Sequence, residues 1–146
     1  MNADLTLFVV TNAAVHVGEQ NPHISEDGRK QAKLLGQAIL IHINGSNVIN
    51  IISSPATRAV DTALILKEIL HANGVQSEPA LWDSAENQNR SIRAMVMKIE
   101  HYEGDVLILV GHKPFVSAFP TVYGFEACIP EHAQGVMFKN GVCTPI

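Results

Sequence analysis

Apolar positions along the chain follow two periods. Leu5-Thr-Leu-Phe-Val-Val10, Val48 to Ile52 and Val106-Leu-Ile-Leu-Val110 are short, nearly unbroken apolar runs. Runs of this length, rich in β-branched residues, predict strands buried on both faces, as in a parallel sheet. Between them apolar residues recur at helical spacing. Ala32, Leu34, Leu35, Ala38, Ile39 and Ile43 predict a first helix, with Ser25 as N-cap, Glu26 and Asp27 near its start and Asn44-Gly45 as its stop. A second helix is expected from Thr57 to Ala72, with Val60, Ala63, Leu64 and Leu70 inward and Asn73-Gly74 ending it. A third is expected from Ser91 to Tyr102, and a short one after Pro114. Ser77 to Arg90 reads as a short extended piece followed by polar residues around Trp82. Gly135 to Lys139, Asn140-Gly141 and Val142-Cys143 predict a hairpin.

Strands alternating with helices predict an α/β fold with a mostly parallel sheet. Residues 1–146 carry no repeat, linker or low-complexity tract and are expected to form one domain. The chain is 47% hydrophobic and 16% charged, which suits a domain with a sizeable core. Ten Lys+Arg against 14 Asp+Glu give a net charge of -4, which argues against a nucleic-acid binder. No run reaches the roughly 20 apolar residues of a membrane span. The first apolar run lacks the basic flank of a signal peptide, so a cytoplasmic location is expected. Cys128 and Cys143 have neither CxxC spacing nor a nearby His pattern and are expected to be thiols, with no metal and no cofactor.

In an open α/β sheet, ligands bind beyond the C-terminal strand ends. Thr11-Asn12-Ala13, Ser53-Ser54-Pro55-Ala56-Thr57-Arg58 and Gly111-His112 follow the three predicted strands. An Arg and a His therefore converge on one edge, and both are suited to an anion.

Three segments carry a resemblance. They are Ile24-Ser-Glu-Asp-Gly-Arg-Lys-Gln-Ala32, Ser53-Ser-Pro-Ala-Thr-Arg-Ala-Val-Asp-Thr-Ala63 and Val110-Gly-His-Lys-Pro114. In order, spacing and strand context the chain resembles the histidine phosphatases, of phosphoglycerate-mutase-like fold, and within them the short phosphohistidine-phosphatase type. The resemblance implies a three-layer α/β/α sandwich. It also implies a mechanism in which a phosphoryl group is carried on the His of an Arg-His-Gly motif after the first strand. The flanking Arg, a second Arg and a late His hold the phosphate oxygens.

Carried over by position, Arg58 and His112 match anion-holding residues. Asn12 stands at the nucleophile's position and Thr11 at the flanking Arg's. An amide nitrogen has its lone pair delocalised into the carbonyl, so Asn12 is no nucleophile, although it can donate a hydrogen bond to phosphate. Thr11 removes a fixed cation from chemistry that depends on charge stabilisation. The expectation is a pseudophosphatase whose residual phosphate site is Arg58, His112 and Asn12, with no catalytic residue. Its ligand is expected to be a phosphorylated small molecule or phosphoprotein. Two alternatives stay open. One is an active phosphatase with a displaced nucleophile, for which His16 comes before His23. The other is a structural or protein-interaction domain. Asp83 and Glu86 are the candidates for a general acid, by location only. Lys113 adds a charge beside His112, and the apolar segment Pro114 to Tyr123 reads as core or as a partner surface.

Overall fold

The computed structural model describes residues 2–43, 48–82 and 87–146. Its strands are β1 (Thr6–Thr11), β2 (Ile49–Ser53), β3 (Gly74–Ser77), β4 (Val106–Gly111), β5 (Gly135–Lys139) and β6 (Val142–Pro145). Its α-helices are α1 (Glu26–His42), α2 (Thr57–Leu70), α3 (Gln88–Glu100) and α4 (Lys113–Ala118). Short 3-10 turns cover Pro79–Trp82 and Phe119–Tyr123.

One sheet runs β3-β2-β4-β1-β5-β6. The first four strands are mutually parallel, while β5 and β6 pair antiparallel. The central strands β1 and β4 are buried along their whole length, as unbroken apolar runs require. Alternation divides their side chains between two layers. Phe8, Val10, Ile51, Ile108 and Val110 pack under α1 and α2. Leu7, Val9, Ile52, Leu107 and Leu109 pack against α3, α4 and Phe119. The fold is therefore a three-layer α/β/α sandwich, as expected.

Helix boundaries follow the capping chemistry. Ser25 Oγ accepts the Gly28 N–H at 3.0 Å and Glu26 and Asp27 lie in the first turn of α1. The expected stop at Asn44-Gly45 lies outside the described residues. One inward placement was wrong: Leu64 is 51% exposed. The buried stripes are Gly28, Ala32, Leu35, Gly36, Ile39 on α1 and Ala59, Thr62, Ala63, Leu66, Leu70 on α2. Leu64 sits one residue beside its stripe, about 100° round the helix. The small residue Gly36 defines the contact, since a Cβ there would meet Ile69 Cδ1 at 2.8 Å. The segment after His112 is core: Phe115, Val116 and Phe119 are buried, and Phe119 stacks on Phe115, Tyr123 and Phe138.

Candidate active site

The parallel order puts the C-terminal ends of β1, β2 and β4 side by side at one sheet edge. Thr11 pairs with Gly111, and Ser53 with Val110. Register alone therefore brings Asn12, Ser54 and His112 together, and the first turn of α2 adds Arg58.

Asn12 is buried at 6% exposure. Its Nδ2 donates to the Ala13 carbonyl at 2.8 Å, which turns Oδ1 toward His112 Nδ1 at 3.3 Å. A carbonyl oxygen only accepts, so this contact is a hydrogen bond when the ring proton is on Nδ1. His112 Nε2 lies 2.9 Å from Ser54 Oγ, a hydroxyl that can donate or accept, and Ser54 Oγ accepts the Ala56 N–H at 3.2 Å. Burial first, and the Arg58 guanidinium second, push His112 down to about 4. It is therefore neutral at physiological pH.

Arg58 Nη2 lies 3.4 Å from His112 Nδ1. A guanidinium N–H only donates, so this contact is a hydrogen bond when the ring proton is on Nε2. Burial lowers the Arg58 guanidinium from its ordinary value, and among the described residues no carboxylate pairs with it. An uncompensated guanidinium beside a neutral imidazole is an arrangement that accepts an anion.

Thr11 does not join this group. Its Oγ1 donates to the Glu131 carbonyl at 2.5 Å, with the Gln134 carbonyl at 3.1 Å, and accepts the Gln134 N–H at 3.2 Å. The Ala133 N–H bonds the Asn12 carbonyl at 3.1 Å. The end of β1 is thus stitched to the loop 131–134, and Lys113 Nζ approaches the Glu131 carboxylate at 3.7 Å on the exposed side of that loop. The amide of Asn12 gives one of its two N–H groups to the Ala13 carbonyl and turns its oxygen toward His112.

The candidate substitutes for the nucleophile stand apart. His16 is exposed, and its N–H bonds the His23 carbonyl at 3.1 Å. His23 Nδ1 meets Asp61 Oδ2 at 2.9 Å on α2, and the same carboxylate oxygen accepts the Ile24 N–H. Both acid candidates, Asp83 and Glu86, lie outside the described residues. Trp82, just before them, is 44% exposed.

Sequence reasoning assigned no role to several residues that hold this edge. Thr62 Oγ1 accepts the Ala13 N–H at 3.0 Å and Gln31 Oε1 the Ala14 N–H at 2.9 Å. Asn21 Oδ1 caps α2 by accepting the Thr57 N–H at 2.9 Å. Gln31, Ser54 and Thr62 belong to the quoted segments, so position within those segments was the available signal.

A sequence profile of the histidine phosphatase superfamily (branch 1) matches residues 10–85. The chain belongs to the histidine phosphatase superfamily. A search of curated protein sequences gives no match. Among solved structures, the protein histidine phosphatase SixA complexed with tungstate is similar at TM-score 0.73 and 12% identity, over 97% of this chain and 94% of that one. The open reading frame Rv3214 from Mycobacterium tuberculosis is similar at TM-score 0.71 and 20% identity, over 97% and 95%. A mycobacterial glucosyl-3-phosphoglycerate phosphatase, Rv2419c, in complex with VO3, is similar at TM-score 0.65 and 15% identity, over 91% and 90%. At these identities the likeness is one of fold. This histidine phosphatase chain keeps the superfamily's sheet edge and fills the end of its first strand with Thr11-Asn12-Ala13.

Proposed function

We propose that the chain is a non-catalytic histidine phosphatase, a pseudophosphatase that binds an oxyanion, and through it a phosphorylated small molecule or phosphoprotein, at Arg58 and His112. The observation that carries this reading is Asn12 itself at the end of β1. Its amide nitrogen has its lone pair delocalised into the carbonyl and cannot attack phosphorus, and the candidate substitutes bond elsewhere, the His16 N–H to the His23 carbonyl and the His23 ring to Asp61. The anion-holding pair is supported by the Arg58 guanidinium, which no carboxylate pairs with among the described residues. Support also comes from two structures of the same fold that hold tungstate and VO3. His112 stands ready to supply its N–H, and Asn12 borders the site. A cytoplasmic setting is part of the proposal, and the two free thiols fit a reducing compartment. Among the described residues no helix is long and apolar enough to cross a membrane.

Titration with tungstate and phosphate, followed by calorimetry and by the shifts of Arg58 and His112, tests the reading. Saturable binding is expected in the wild type. Arg58→Ala should weaken it by about ten- to a hundredfold, the range for losing hydrogen bonds to a charged group. Hydrolysis of p-nitrophenyl phosphate or a phosphohistidine peptide that disappears in Arg58→Ala would replace the reading with an active phosphatase. Absence of any oxyanion binding would leave a structural domain.

A further inference from the structure

We infer that Asn12 is an internal stand-in for an anion oxygen: its Oδ1 occupies the acceptor position at His112 Nδ1, and an oxyanion held by Arg58 binds there only by displacing it. The inference rests on the anion-binding reading above and adds what limits that binding.

The orientation of the carboxamide is decisive. Nδ2 donates to the Ala13 carbonyl at 2.8 Å. Turning the amide over would set two acceptors against each other at that distance, so the oxygen faces His112. In the tautomer that bonds Asn12, Ser54 Oγ donates to Nε2 at 2.9 Å and the N–H that His112 offers is at Nδ1. That N–H points to Asn12 Oδ1 at 3.3 Å, longer than the usual N–H···O distance. Arg58 Nη2 reaches the same ring nitrogen at 3.4 Å. Among the described residues, the acceptor within hydrogen-bond range of Nδ1 is therefore a neutral, poorly placed carboxamide oxygen, with the Arg58 guanidinium beside it.

A charged oxygen would be bonded at a shorter distance and more strongly than a neutral one. It can displace Asn12, whereas a neutral carbonyl or ester oxygen gains nothing by the exchange. The residue thus selects ligands that present a formally charged oxygen, and it lowers the affinity for all of them. Ser54 supports the exchange without taking part in it, because its hydroxyl holds the far ring nitrogen throughout.

Tungstate and inorganic phosphate are the probes. Asn12→Ala should bind tungstate roughly three- to tenfold more tightly than wild type, the worth of one neutral hydrogen bond. Asn12→Asp, which fixes a negative charge at the same place, should bind it more weakly than wild type. Binding in wild type that weakens in Asn12→Ala makes Asn12 a direct ligand; it overturns the inference and leaves the anion-binding reading standing. Binding in Asn12→Ala but not in wild type supports the inference and removes the reading for the natural chain. No binding in either overturns both. A measurement on the wild type needs no variant to fold. Nitrogen-15 shifts of His112 should show the proton on Nδ1, and a proton on Nε2 overturns the inference.

Discussion

The end of β1 and the ends of β2 and β4 reach the same sheet edge but have been treated differently. Beyond β2 and β4 the side chains still face one another: Ser54 on His112, and His112 beside Arg58. Beyond β1 they are turned to other tasks. Thr11 binds the loop 131–134 and Asn12 bonds back onto its own chain. The backbone there is nevertheless held by Thr62 and Gln31, residues of the segments that carry the family resemblance. Hydrogen bonds to main-chain N–H groups do not depend on which side chain the residue bears. Scaffold and chemistry are therefore separable: the strand end can lose its nucleophile while its path stays fixed.

The largest effect tests whether the difference is confined to the three residues after β1. Thr11→Arg, Asn12→His and Ala13→Gly together should give a chain that hydrolyses p-nitrophenyl phosphate measurably, where the proposed function predicts no turnover by the wild type. A folded but inert triple variant would show that the ends of β2 and β4 have changed as well. Thr11→Arg also removes the hydroxyl that holds the loop 131–134, so the triple variant should be less stable than the wild type.

The next test addresses the shared backbone path. Gly28 packs on the segment after β1, and a Cβ there would lie 2.1 Å from the Ala14 carbonyl oxygen. Backbone cannot yield as a side chain does. Gly28→Ala should cost about 1–3 kcal/mol, by analogy with overpacked cores, and lower Tm by several degrees in thermal unfolding. An unchanged Tm would mean that this path is not tightly held.

A smaller effect concerns pH. His112 is pushed from 6.5 to about 4 in the fold. Between these values the unfolded chain binds the additional proton, so this residue makes stability rise with pH across that window and fall on acidification. Urea midpoints of wild type should therefore drop more than those of His112→Gln between about pH 7 and about pH 4.5. Equal drops would place His112 in a more solvated setting than its bonds to Asn12 and Ser54 imply.

The sequence made the mostly parallel sheet and the convergence of Arg58 with His112 legible, because apolar runs and strand ends follow simple periodicity, while the three layers were implied by the family resemblance. It did not show where Thr11 and Asn12 point. Thr11 finds its partners in Glu131 and Gln134, more than a hundred positions away, and strand pairing in three dimensions brings them within reach. Nor did it show that an Asn12 N–H is bonded locally, since an amide in isolation offers donors and acceptor alike. Leu64 read as core because it neighbours a buried stripe. His16 and His23 were candidates by proximity in sequence, and the loop that carries them is fastened to Asp61 rather than to the strand end.

The central claim is that no residue at this edge takes a phosphoryl group. Incubation of the wild type with a radiolabelled phosphoryl donor such as acetyl phosphate or phosphoramidate, followed by denaturation in alkali, tests it most directly. The account predicts no protein-bound label. A stoichiometric label that survives alkali and is lost in acid, mapped to any histidine of the chain, would contradict it.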